Sequence, residues 1–128
     1  MNKRFIVVVT ACIAGLFLAL QLTGCSSKAF SVNDVAADPG AFNGSITITG
    51  IMGGVSQLDQ SVFGIMDVKE LQCTTQNCNK VFIPIKFQGQ LPVLGDEVKV
   101  TGSFVKLSNG YLFAANEVKV VRNHKIGG

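Results

Sequence analysis

Only one histidine, His124, occurs in the chain. That scarcity excludes a good deal of chemistry. A Ser-His-Asp triad needs an imidazole packed between its partners, and a single histidine four residues from the last residue does not supply one. A zinc site needs about four ligands, and Cys73, Cys78 and one histidine fall short. No glycine-rich phosphate loop is present. The redox spacing C-x-x-C is also missing. The expectation is a protein that is not an enzyme, with no catalytic residue, cofactor or metal.

What is present begins with a basic and then apolar N-terminus. Lys3 and Arg4 precede an apolar run over 5–20 whose most polar members are Thr10 and Gly15. This is the layout of a secretory signal. The stretch Leu22-Thr23-Gly24-Cys25 follows. It resembles the lipobox of bacterial lipoproteins, an aliphatic residue and two small ones before a cysteine. The resemblance implies a diacylglyceryl thioether on Cys25, cleavage after Gly24, and acylation of the new amino terminus. The alternative is an uncleaved membrane helix over 5–22, at the short end of what spans a bilayer. Both readings export the remainder and anchor it to the lipid bilayer. Ser26 after the lipid cysteine suggests the outer membrane, by analogy with proteobacterial lipoproteins, with the domain facing the periplasm.

Removing the leader changes the balance. Of 128 residues, 104 remain after the first 24 are cut. Loss of Lys3 and Arg4 takes Lys+Arg from 11 to 9 against 8 Asp+Glu, so the net charge falls from +3 to +1. The basic character is a targeting feature and does not argue for nucleic acid. About a hundred residues make one domain with one core.

Four cysteines occur. Cys12 leaves with the leader and Cys25 carries lipid. Cys73 and Cys78 remain, spaced C-x4-C in an oxidising compartment, where a disulfide is the expected state. The alternatives are half of a metal site, a redox pair or free thiols.

Residues 25–30 read as a lipidated polar tether, reaching at most ~17 Å from the anchor. Ser31 and Asp34 form a near capping box, so one short helix is expected, ended by Pro39-Gly40. Asp67 and Glu70 flank the cysteine loop and are expected to be solvated. From Gly44 the period changes to two. Ile46 and Ile48 alternate with polar residues, and Gly50 and Gly53-Gly54 mark a bulge or bend. Further strands are expected over 61–68, 81–87, 97–107 and 111–121, the last two joined by a hairpin at Asn109-Gly110. Val98, Val100 and Phe104 are expected inside. The tail 122–128 is expected to be flexible.

Five strands in under about eighty residues, the first of them bent, favour a small closed barrel. The stretches SVNDVAADPGAFNGSITITGIM, VFGIMD, VFIPIKFQGQLPVLGDEVKVTGSF and YLFAANEVKV resemble the OB-fold domains of small exported bacterial proteins. The resemblance covers 31–121. It implies an all-β, five-stranded OB-fold barrel with one short N-terminal helix. It carries little about activity, because fold does not fix function.

The second half is also similar to the haem chaperone of cytochrome c maturation, a membrane-anchored periplasmic OB barrel. Gly89-Gln90-Leu91-Pro92, Phe113-Ala114-Ala115-Asn116-Glu117-Val118 and His124 follow that order. The resemblance implies His124 as the haem-bonding residue. The family's tyrosine four residues later is replaced by Gly128. The plainer reading of His124 is a solvated residue of the tail.

Phe63, Phe82, Phe113 and Tyr111 are candidates for a stacking platform on single-stranded nucleic acid. Near-neutral charge and export oppose it, and no nucleic acid partner is expected. The function expected is that of a monomeric binding or scaffolding module of the cell envelope with a protein partner. A haem or metal carrier using His124 is the alternative.

Overall fold

The computed structural model describes residues 28–73, 78 and 80–126. The leader, Cys25 and the cut after Gly24 lie outside the described residues, as do residues 74–77 of the cysteine loop.

The chain starts with β1 (Ala29–Ser31) and α1 (Val32–Ala36). Ser31 is the N-cap of α1. Its hydroxyl accepts from the Asp34 N–H and the Asp34 carboxylate accepts from the Ser31 N–H, each at 3.2 Å. This reciprocal pairing satisfies two of the otherwise orphaned amides of the first turn. Val32 and Val35, one helical step apart, are fully buried. The helix stops at Ala36, and Pro39–Ala41 forms a 3-10 turn.

Five longer elements follow: β2 (Ile46–Val55), β3 (Val62–Met66), β4 (Phe82–Lys86), β5 (Asp96–Leu107) and β6 (Gly110–Asn123). The pairings run β2, β3, β4, β6, β5 and return to β2, so the ring of strands closes. All neighbours in it are antiparallel except β4 and β6. The core is the inner face of that ring with α1 packed on it: Ile48, Met52, Phe63, Ile65, Ile83, Ile85, Val98, Val100 and Phe113. Strict alternation selects these residues, since inward positions of a strand recur every second residue.

The expected bend in the long first strand is present. The β2–β3 register shifts between Met52 and Gly54, leaving Gly53 as the extra residue. The hairpin turn falls one residue earlier than Asn109-Gly110. Leu107 pairs with Gly110, so Ser108 and Asn109 make the turn.

Three expectations change. The end of the tether is not free: residues 29–31 form β1, parallel to β2 with Phe30 opposite Ile48. The period-two signal of three residues is too short to read. The last strand runs past Val121 to Asn123, because Arg122 and Asn123 pair with Glu97 and Asp96. Asp67 is buried and not solvated, at 3% exposure. One of its oxygens accepts from Lys69 N–H and the other from Asn33 N–H, both at 3.0 Å. These bonds tie the turn after β3 to α1, and they offset the cost of burying a carboxylate.

Candidate functional site

The outer face of β2, β3 and β4 is unusual for the side chains it lacks. Phe63 and Ile65 point inward from β3, and Ile83 and Ile85 from β4. That leaves Val62, Gly64, Phe82 and Pro84 outside, beside Gly53, Gly54 and Val55 of β2. Phe82 is 46% exposed. Its ring lies across two glycines. A Cβ built on Gly64 would come within 3.2 Å of Phe82 Cδ1, and one on Gly53 would run into Cε1. Any larger residue at Gly53 would lift the ring off the sheet.

Gly54 differs. A Cβ there would meet nothing within 4 Å. Glycine inside a strand weakens it, and is found where a bulge lies or where another group approaches the backbone closely. The bulge accounts for Gly53. Among the described residues, no side chain accounts for Gly54. It opens onto a groove of about 340 Å³ lined by Val55, Val62, Gly64, Phe82 and Pro84. Pro84 is accommodated because β4 meets β6 only from Ile85 onward, so its missing N–H leaves no partner bare on that side.

On the other side of the Phe82 ring is a smaller hollow of about 150 Å³, walled by Pro39, Val81, Phe104 and Tyr111. Phe104 packs edge-on to Tyr111 and Phe113, with centroids 6.2 and 5.0 Å away. Phe82 thus stands as a ridge between two apolar hollows.

Among the described residues, none that lines the larger groove is charged. Charge begins at its rim, where Lys86 sits across from Val62 in the β3–β4 register. Lys86 Nζ donates to Asp59 Oδ2 at 3.2 Å, and Ser61 Oγ donates to Asp59 Oδ1 at 2.6 Å. The Ser61 hydroxyl and amide first, and Lys86 after them, hold the Asp59 carboxyl down at about 2. The site presents a flat apolar floor, an aromatic ridge and a compensated polar rim. That arrangement suits the burial of an apolar or planar group.

The residues singled out from sequence fall elsewhere. Cys73 and Cys78 are within bonding distance, their Cα atoms 6.2 Å apart, as a disulfide requires. Cys73 directly follows the 3-10 turn Val68–Gln72, and Cys78 precedes β4 in the chain. His124 is not a free tail residue. Its N–H donates to Gly95 O at 2.9 Å and its Nε2 lies 2.9 Å from Glu97 Oε2. It is on the opposite strand pair from the groove. Among the described residues, no group of three or more His, Cys, Asp or Glu is placed to hold a metal ion, and no helix is long and apolar enough to cross a membrane. The aromatic platform does not assemble: Phe63 and Phe113 are fully buried, leaving Phe82 and Tyr111 at the surface. Gly54, Gly64 and Pro84 were not singled out for a site; glycines and a proline within strands are the trace they leave in the sequence.

No protein-family model matches the chain, and no curated protein matches it in sequence. A solved structure does resemble it. The hypothetical protein ygiW from E. coli superposes with a TM-score of 0.53 at 13% identity, over 75% of this chain and 92% of that one. At that identity the likeness is one of fold.

Proposed function

We propose that this is an exported, lipid-anchored OB-fold barrel that acts as a non-catalytic binding module of the cell envelope, using the outer face of β2–β4. The ring order with one parallel pair, β4 with β6, supports the OB reading. So does the fold-level likeness to ygiW. The lipobox at Leu22-Thr23-Gly24-Cys25 supports anchoring through Cys25 on a membrane facing the periplasm. The observation that carries the binding role is Gly54: a side-chain-free position with open space above it, at the foot of an exposed aromatic ridge.

Gly54→Val tests it, because a Cβ there meets nothing within 4 Å and the side chain projects into the groove. Material captured from detergent-solubilised membranes by the wild-type chain should be lost with Gly54→Val, at an unchanged melting temperature. Equal capture by both would overturn the assignment of this face. The anchor is tested separately with Cys25→Ser. That variant should lose palmitate labelling and accumulate as precursor, and normal labelling would refute the anchor.

A further inference from the structure

β6 has one flank without a neighbour. β5 pairs with it over its whole length, from Asp96 opposite Asn123 to Leu107 opposite Gly110. On the other flank β4 meets it only at Phe113 and Ala114. Among the described residues, no strand pairs with that side of residues 115–123. A row of backbone amides and carbonyls without partners is a template for another strand, and proteins normally shorten, bend or cover such edges. The loop 88–95 faces the core side of this flank without adding a strand to it. A hollow of about 350 Å³ separates Leu91, Pro92 and Val93 from Val118 and Val120.

The side chains along the edge are sorted by face. Val118 and Val120 stand opposite Val100 and Val98, which are fully buried. They belong to the core side of the sheet, yet Val120 is 54% exposed and Val93, across the hollow, is 63% exposed. The core beneath is closed, but Val120 and Val93 leave an exposed apolar strip along this flank. The other face carries Glu117 and Lys119. Lys119 is paired across the ladder with Lys99, a like charge. Its contact with Glu117, at 3.8 Å and mostly exposed, does little to offset that.

We propose that a second copy of this chain covers the edge, with its β6 antiparallel and Val118 facing Val118 of the second copy on a two-fold axis. The charges choose the register. Centring on Val118 sets Glu117 of each copy opposite Lys119 of the other, twice. Centring on Glu117 or Lys119 sets like charges face to face, and centring on Val120 leaves Lys119 opposite Val121. In the chosen register the valines of both copies meet over this exposed apolar strip, and each Lys119 gains a carboxylate. This surface is separate from the Gly54 groove, so neither reading depends on the other.

The test uses the full chain in its own membrane, with a photoreactive phenylalanine analogue in place of Val118. Irradiation should give a product of twice the monomer mass containing only this chain. The same probe in place of Val105, exposed on the far half of the β5–β6 hairpin, should give none. Lys119→Glu should cut the doubled product on the order of tenfold, since two attractive pairs become repulsive. The exchange Glu117→Lys with Lys119→Glu should restore it. Lys119 and Glu117 are 70% and 57% exposed, so both variants should fold, which an unchanged melting temperature checks. Crosslinking of Val118 to a different protein, no product at all, or a product indifferent to Lys119→Glu would each overturn the proposal.

Discussion

His124 Nε2 lies 2.9 Å from Glu97 Oε2, and the same oxygen receives Arg122 Nε at 3.2 Å. The imidazole is thus held at the end of β6 by a carboxylate it shares with an arginine. A haem ligand works against an apolar wall, and here the ring is fixed through Nε2 on a polar patch of Glu97 and Arg122. Purified protein should show no covalent haem and no tight Soret-shifted complex at micromolar haem. His124→Ala should cost less than about 1 kcal/mol and leave function intact, as expected for a partly exposed polar contact. A haem-stained band that disappears in His124→Ala would favour the carrier instead.

The cysteine pair closes a short loop, so its contribution is limited. Cys73→Ser with Cys78→Ser should lose about 1–3 kcal/mol and still fold. The intact mass should rise by about 2 Da on reduction, as opening one bridge requires. Quantitative alkylation of both thiols in the unreduced native protein would refute the bridge.

Among the described glycines, Gly102 is the one where an added Cβ would meet backbone most closely. A Cβ there would run into Ala114 O and come within 2.8 Å of Ala115 Cα, both backbone atoms that cannot swing aside. Gly102→Ala should therefore destabilise by roughly 3 kcal/mol in urea unfolding, the upper range for overpacking. Gly54→Ala, with nothing within 4 Å, is the control. It should fall within about 0.5 kcal/mol of wild type. Equal losses at the two sites would contradict the packing described.

Acid should expose the Asp59 cluster. Its folded value is lowered from 3.8 to about 2 by the Ser61 hydrogen bonds and then by Lys86. The folded state therefore binds the proton less readily than the unfolded chain. The stability this supplies is present above the unfolded value and is lost as pH falls from about 4 towards 2. Asp34, lowered chiefly by the Ser31 hydroxyl, adds to the same limb. Asp59→Asn should flatten the fall in melting temperature across that window. An unchanged acid limb would show that the cluster does not contribute.

Much of the frame was legible from short-range patterns. The Ser31–Asp34 cap acts over three residues, so it can be read directly and it is formed. The alternation in Val98-Lys99-Val100 named two core residues correctly, because period two assigns a face without reference to any other strand. Gly53-Gly54 announced the bulge in β2. The groove was not legible. Phe82 was visible only as one aromatic among several, and its place over Gly53 and Gly64 depends on the register of three strands.

The sequence by itself determined the α1 cap, the inward residues and the bend, all set by interactions within a few positions. It also holds the grounds for the expected export and the Cys25 anchor. Only the tertiary structure decided that Asp67 would be buried against Asn33, 34 residues away. It also decided that His124 would meet Glu97, and that residues 29–31 would become a strand. It opened the groove above Gly54 and left one flank of β6 bare. Each of these depends on ring closure and strand register. Those are set by the summed burial of inward side chains from distant segments, and no local pattern encodes which outward residues will then stand side by side.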